Sequence, residues 1–177
     1  MSHIPAEAIP VIAFFSFAAF EALVTLLFRR NYYRLSDTVT SVFMGLSMTL
    51  YGMLYLSGAY LFYGYCYDKF HLFEFSKTSA ISFLLGMVLF DFLSYVFHVA
   101  EHKINFMWAS HATHHHSEDF NLTTAFRQPI TGGASSWLFF SPMAFLGLPL
   151  EVIVICNTIH IFYQFIVHTK LDRKSVV

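Results

Sequence analysis

Long apolar segments are the feature of this 177-residue chain that most limits how it can fold. A helix needs roughly 20 consecutive apolar residues to cross a bilayer, because every backbone amide must be satisfied within the segment. Four regions qualify or nearly do: about 9–28, between Asp37 and Asp68, about 79–100, and 128–167. Glu21 interrupts the first, and Pro142 and Pro149 divide the last into two predicted helices. We therefore predict an all-α, polytopic membrane helix bundle with four to five transmembrane helices, forming a single membrane domain over residues 1–177.

The composition and charge balance exclude several other classes of protein. Only 12% of the residues are charged and 56% are hydrophobic, which excludes disorder and agrees with a membrane protein. Ten basic and eleven acidic residues leave no basic excess to neutralise phosphates, so we expect no nucleic acid partner. Cys66 and Cys156 both lie in apolar runs, so neither a disulfide framework nor a cysteine metal site is predicted.

The basic residues indicate an orientation, because short cytoplasmic loops collect Lys and Arg. If the chain crosses at each apolar region, eight basic residues share one side: Arg29, Arg30, Arg34, Lys103, Arg127, Lys170, Arg173 and Lys174. Only Lys69 and Lys77 lie on the other side. We expect the loop at about 101–127 and the C-terminal tail to be cytoplasmic, and the N-terminus to be non-cytoplasmic.

Histidines with metal-ligand spacing follow the third apolar run. His98 and His102 are four residues apart, so they share one face of a helix and can reach one metal ion. Asp91 lies on the same stripe, two turns earlier, and is a candidate to orient a ligand histidine. For a single pair of this kind, a structural or chance origin is about as good an explanation as a metal site.

A second group makes the metal interpretation stronger. His111, His114 and His115 share one helix face, while His116 points away from it. Clustered imidazoles without carboxylate partners would repel one another when protonated, and metal coordination removes that cost. Imidazole suits zinc, copper, iron and nickel, so the ligands alone leave the metal open.

The last apolar helix carries a polar stripe of His160, Gln164 and His168. His168 lies near the predicted cytoplasmic end, whereas His160 is two turns deeper and is predicted to be a hydrogen-bonded core histidine. His3 and His71 are expected to be ordinary loop residues. Among the residues that follow the second histidine group, Glu118, Asp119 and Asn121 either cap a helix or contact the metal ligands.

The histidine spacing, together with three longer segments, resembles a known family. The segments are NFMWASHATHHHSEDFNLTTAFRQ at 105–128, RLSDTVTS at 34–41 and YQFIVHT at 163–169. They are similar to the fatty acid hydroxylase and sterol desaturase superfamily of integral-membrane di-iron enzymes, and within it to the alkylglycerol monooxygenase branch. The histidine-box region is residues 98–127.

The resemblance implies a site and a reaction. The implied iron ligands of a di-iron centre are His98, His102, His111, His114, His115 and His168. Our own candidates for contact with these ligands are Asp91, Glu118 and Asn121. The implied reaction uses dioxygen to hydroxylate a glyceryl ether lipid beside its ether oxygen, with tetrahydrobiopterin as a possible reductant. The implied location is the endoplasmic reticulum membrane in a eukaryote or the inner membrane in a bacterium.

Two departures from the family pattern affect what we expect of this chain. Lys103 stands where family members commonly have a glutamate, and Glu101 lies on the other side of His102. A further H-x-x-H-H box of the family has no counterpart between Thr169 and Val177. We therefore expect a fragment, a truncated isoform or a degenerate copy, whose own activity is a separate question from that of the family.

Alternative hypotheses remain open from the sequence. A sterol desaturase or a fatty acid hydroxylase of the same superfamily would need the same apolar surroundings. A membrane metal-ion transporter would also carry H-x-x-x-H pairs, although its ligands should lie near the bilayer midplane rather than at a helix end. An inactive chain could instead serve as a partner for a full-length copy.

Overall fold

The computed structural model describes residues 8–28, 32–169 and 171. Within these residues the regular secondary structure is entirely helical, which confirms the all-α prediction. The α-helices are α1 (Ala8–Leu27), α2 (Leu35–Phe70), α3 (Ala80–Lys103), α4 (Asn105–His115), α5 (Ser136–Leu146) and α6 (Leu150–Ile166). Short 3₁₀ helices, Leu122–Phe126 and Gly132–Ala134, lie between α4 and α5. Predictions that concern His3, Arg29, Arg30, Lys170, Arg173 and Lys174 lie outside the described residues.

Two helices, α2 and α3, are long and apolar enough to cross a membrane. With 36 and 24 residues, they are roughly 54 and 36 Å long, against about 30 Å of bilayer core. Few of their residues are buried, as expected for helices surrounded by lipid and unlike a soluble core helix. Residues 12–27 of α1 and the whole of α6 are apolar but shorter, and α5 has 11 residues. Two helices thus meet the length requirement, where the sequence predicts four to five spans.

The region at 128–167 forms two helices joined by a tight turn, as predicted; Pro149 lies at this turn, whereas Pro142 lies inside α5. Gly147 makes this turn with a φ of +102°, and an added Cβ would lie 1.7 Å from the backbone oxygen of Phe73. Glycine is therefore required for two reasons, the left-handed backbone at this position and the close approach of the loop between α2 and α3. The hydroxyl of Tyr63 donates to the backbone oxygen of Leu148 (2.8 Å), which ties α2 to the same turn.

The main core lies between α2, α3, α5 and α6. Its buried members are Tyr63, Cys66, Phe90, Met143, Ala144, Leu148, Val152, Ile153 and Cys156. A smaller core forms around the 3₁₀ helix Leu122–Phe126, where Leu122 packs with Ala18 of α1 and Phe165 of α6. This second core brings the middle of α1 and the end of α6 against the chain that follows the second histidine group.

Candidate metal centre

Two pairs of histidines lie on consecutive helices that pack against each other. His98 and His102 are one turn apart near the end of α3, and His111 and His115 are one turn apart on α4. Ile104 separates the helices and is extended, with φ of −104° and ψ of 117°. Because this residue interrupts the helix, the chain turns there and the second pair of rings packs against the first.

The ring nitrogens of these residues are close enough to share one metal ion. The Nε2 atoms are 3.1 Å apart in His98 and His102, and 3.0 Å apart in His111 and His115. One ligand nitrogen from each residue lies within 4.8 Å of the other three. Adjacent imidazole nitrogens on an ion with bonds of about 2.0–2.1 Å are separated by roughly 3.0–3.4 Å. This four-histidine cluster therefore fits a single ion after small side-chain movements.

Two further histidines, His114 and His168, form a pair beside the four-histidine cluster. Their ring centroids are 5.5 Å apart, and the ring of His114 is 5.4 Å from that of His115. The Nδ1 of His114 lies 2.9 Å from the carbonyl oxygen of Arg127, and the Nδ1 of His168 lies 2.6 Å from that of Gln164. A carbonyl oxygen only accepts, so each Nδ1 carries the proton and each Nε2 of the neutral ring keeps a lone pair for a metal.

Burial favours the neutral form of three imidazoles outside the membrane-spanning segments, those of His114, His115 and His168. It lowers the pKa of His114 to about 4, where the bond to Arg127 opposes the shift only in part. Burial also lowers the pKa of His168, and burial followed by the neighbouring His111 lowers the pKa of His115. Neutral imidazole is the form that binds a metal, so these shifts favour coordination near neutral pH.

All the histidines for which the sequence predicts a metal therefore lie in one region: His98, His102, His111, His114, His115 and His168. Their role as ligands stays a prediction. His116 lies at the end of α4 and is exposed, in keeping with its expected position off the ligand face. His160 is elsewhere, with its ring against Phe90 of the main core.

The carboxylate beside the four-histidine cluster is not the one that the sequence predicts. The Oδ1 of Asp91 lies 3.5 Å from the Nδ1 of His160, so the contact of Asp91 is with a histidine outside the cluster. Glu101 lies next to the cluster instead, with its Oε2 3.1 Å from the Nδ1 of His111 and 3.9 Å from that of His98. The spacing of Glu101 from His98, three residues on one helix, is the signal that could have identified it.

The other predicted contacts of the ligands belong to the loop after α4. Glu118 pairs with Arg34 at 2.5 Å, and Asp119 accepts from the backbone N–H of Arg34 at 2.9 Å. Asn121 caps the 3₁₀ helix: its side chain accepts from the N–H of Thr123 at 2.9 Å. Of the two interpretations that the sequence left open, capping is therefore the one that describes Asn121.

A nearly buried ion pair that sequence reasoning missed holds the same loop. The Nη1 of Arg127 lies 2.7 Å from the Oδ1 of Asp37, and the two side chains are only 11% and 13% exposed. The Nε of Arg127 donates to the carbonyl oxygen of Thr113 at 3.1 Å. Since the carbonyl oxygen of Arg127 accepts from His114, this ion pair ties the start of α2 to a predicted ligand.

Glu21, a fully buried residue of α1, is a second polar residue that connects distant parts of the chain near the histidines. Its carboxylate accepts from the hydroxyl of Tyr33, from the N–H of Leu122 at 2.8 Å and from the hydroxyl of Thr169 at 2.5 Å. Burial, followed by the hydrogen bond to Glu21, raises the pKa of Tyr33, so that its hydroxyl stays a donor. Thr169 is the neighbour of His168, and the residue that interrupts the first apolar run thereby anchors the end of α6 near the histidine pair.

The four-histidine cluster is buried on one side and open on the other. His111 is buried, whereas the other three members are exposed. Trp108 covers part of the open side, with its ring 5.2 Å from that of His102 and 5.8 Å from that of His115. Three of the four predicted ligands are therefore accessible from outside the bundle.

Comparison with known proteins identifies the family. The pattern of the fatty acid hydroxylase family matches residues 83–177, which is more than half of the chain and includes the four-histidine cluster. The chain belongs to the fatty acid hydroxylase family.

Within that family the chain is similar to alkylglycerol monooxygenases. It is 36% identical to that of Danio rerio over 79% of the chain and 31% of the relative, and 36% identical to that of Homo sapiens over 78% and 31%. It is 34% identical to that of Xenopus tropicalis over 89% of the chain and 35% of the relative. The chain thus spans about a third of the length of these curated relatives. No solved structure matches it significantly.

Proposed function

We propose that this protein is a dioxygen-dependent monooxygenase of lipid C–H bonds, with a di-iron centre at the histidines. The observation that carries the proposal is the convergence of two i, i+4 histidine pairs within 4.8 Å, at the end of a helix long enough to cross a membrane. A metal centre at a helix end can meet a lipid from the bilayer and a hydrophilic reductant from the aqueous side. Family membership supports this assignment.

The residues define how the metal would be held. The four-histidine cluster offers four imidazole nitrogens to one ion, and His114 and His168 offer two more beside it. Iron at these positions would supply the activation of dioxygen, while hydroxylation of R–H to R–OH with release of water consumes two electrons and two protons. The bonds of the Nδ1 atoms of His114 and His168 to carbonyl oxygens hold their Nε2 atoms for coordination.

We propose a glyceryl ether lipid as the substrate, on the strength of the alkylglycerol monooxygenase relatives. Hydroxylation of the carbon beside the ether oxygen gives a hemiacetal, which collapses to a fatty aldehyde and the free glycerol. Tetrahydrobiopterin is the proposed reductant. A sterol or a fatty acyl chain is the alternative substrate class.

We further propose that the histidine end of the bundle faces the cytoplasm, in the endoplasmic reticulum membrane of a eukaryote or the inner membrane of a bacterium. Three described basic residues lie at or beside that end, Arg34, Lys103 and Arg127, whereas Lys69 and Lys77 flank the opposite ends of α2 and α3. This distribution agrees with the bias of cytoplasmic loops toward Lys and Arg.

The test is an assay of membranes that contain the chain, supplied with an alkylglycerol, tetrahydrobiopterin and dioxygen. The proposal predicts a fatty aldehyde product that is lost in the His111→Ala variant and retained in the His71→Ala variant, whose residue lies after the far end of α2. Hydroxylation of a sterol or a fatty acid in parallel assays would instead support another branch. No oxygen-dependent product from any of these lipids would contradict an active oxygenase and favour an inactive partner chain.

A further inference from the structure

Glu101 is a buried carboxylate in contact with the four-histidine cluster. Its residue is 7% exposed, although its neighbours on α3, His102 and Lys103, are exposed. An ionised carboxylate is costly to bury without partners. In the described part of the chain its ionic contacts are two imidazoles, His111 at 3.1 Å and His98 at 3.9 Å. The burial and the contacts together indicate that this side chain acts on the histidines.

The contacts of Glu101 are with the Nδ1 atoms, whereas the Nε2 atoms face one another. The Nε2 of His111 lies 3.0 Å from that of His115, and the Nε2 of His98 lies 3.1 Å from that of His102. A carboxylate oxygen only accepts, so its closeness to Nδ1 of His111 favours the neutral form with the proton on Nδ1 and the lone pair on Nε2. Glu101 therefore meets a different edge of the ring from the one that faces the metal position, and it is not placed as a ligand.

His111 is the ring through which this effect would reach the whole cluster. Its centroid lies 4.7 Å from that of His98, 4.9 Å from that of His102 and 4.8 Å from that of His115. It is also the one buried member of the four. A change in its tautomer or ring orientation would alter the common position toward which the other nitrogens point.

We propose that Glu101 is the positioning residue of the metal centre, holding His111 through the contact of its carboxylate with Nδ1, so that Nε2 faces the metal. The proposal rests on the proposed function only in that a metal binds at the four-histidine cluster. Carboxylates in this relation to a ligand histidine also make the imidazole a stronger donor, and their loss typically weakens metal affinity roughly 10- to 100-fold. Glu101 lies on α3 and His111 lies on α4, so this contact joins the two helices that carry the four-histidine cluster.

The test is a titration of the purified, detergent-solubilised chain with Co²⁺, followed by its visible absorption. We compare the parent chain with Glu101→Gln, Glu101→Ala and the matched control Glu74→Gln. Glu74 has the same i, i+3 relation to a histidine, 3.8 Å from His71, but its side chain is 90% exposed. Far-ultraviolet circular dichroism establishes that each variant keeps the parent helicity.

We expect Glu101→Ala to weaken Co²⁺ binding roughly 10- to 100-fold and to shift the visible bands. The Co²⁺ affinity of Glu101→Gln should lie between those of Glu101→Ala and the parent, because its amide oxygen can still accept from Nδ1. This variant also provides the measurement if Glu101→Ala does not fold. Glu74→Gln should match the parent. Parent-like affinity and spectrum in both Glu101 variants would overturn the proposal while leaving the metal centre intact. Absence of Co²⁺ binding by the parent would overturn the metal centre itself.

Discussion

The surroundings of His114, a predicted metal ligand, favour the neutral form of its imidazole. Its bond to the carbonyl oxygen of Arg127 fixes the proton on Nδ1, and burial lowers its pKa to about 4. Because of this lowered pKa, a proton competes poorly with a metal ion for the Nε2 atom near neutral pH. The folded, metal-free protein consequently takes up this proton at a lower pH than the unfolded chain does.

This difference predicts a pH dependence of stability for the metal-free protein. Between the folded pKa of about 4 and the ordinary value of 6.5 for His114, the unfolded chain binds more protons, so the free energy of unfolding rises with pH. One histidine contributes at most about 1.4 kcal/mol per pH unit in that window and nothing further above it. Denaturant unfolding in detergent from pH 4 to pH 8 should show this rise, reduced in His114→Gln. An identical slope in that variant would contradict the assignment.

Local spacing explains which residues of the site could be predicted. His98 and His102, like His111 and His115, are related by one helical turn, and the sequence alone specifies that relation. The contact of Glu101 with the second pair depends on the angle at which α4 leaves α3, which no local pattern encodes. Asp91 shares the stripe of His98 on α3, yet its contact is with a histidine of α6, because helix packing decides the partner.

At the scale of elements, the ion pair between Arg127 and Asp37 anchors the loop after α4 to the start of α2. Removal of one member of a nearly buried pair leaves an unpaired charge, so Asp37→Ala should lower the free energy of unfolding by about 3–5 kcal/mol. The double variant Asp37→Leu with Arg127→Met should lose less than the sum of the single changes. The control is Glu118→Gln, which breaks an exposed pair with Arg34 and should change the stability little. Equal losses in Asp37→Ala and Glu118→Gln would contradict this account.

The turn between α5 and α6 gives a second prediction at this scale. Gly147→Ala would force a Cβ onto a left-handed residue and against the backbone oxygen of Phe73, so it should destabilise the protein by at least about 1–2 kcal/mol. Gly58→Ala is the matched control, because its position in α2 has open space and a helical backbone. It should stabilise by roughly 0.5–1 kcal/mol. Thermal unfolding of both variants in one detergent measures the difference, and a stabilised Gly147→Ala would contradict it.

The helices were predictable where the apolar pattern is long, and less so where it is broken. The run at 79–100 corresponds to α3, and the run between Asp37 and Asp68 corresponds to one continuous helix, α2. The short α5, with Pro142 inside it, was predictable as a helix but not in its length, because a proline inside a helix is expected to break it.

At the scale of the whole molecule, the predicted metal-ligand region is assembled from distant parts of the chain. Its histidines come from α3, α4 and the end of α6, and the junctions beside it involve α1 and α2 through Glu21 and Asp37. Contacts such as Thr169 with Glu21 link residues 148 positions apart. Sequence reasoning identified the histidines by their spacing, but the supporting polar contacts depend on the three-dimensional packing of the bundle.

If these histidines form one iron-binding centre, the purified chain binds iron through them, and its iron content is the quantity to measure. After anaerobic loading with Fe²⁺ and removal of free metal, the parent chain and His71→Ala should each retain at least one iron per chain, and His111→Ala should retain far less. His71 is a suitable control because it lies at the end of α2 that is far from the four-histidine cluster, where its Nδ1 donates to the carbonyl oxygen of Tyr67. Iron-free parent protein, or equal retention in all three, would contradict the account.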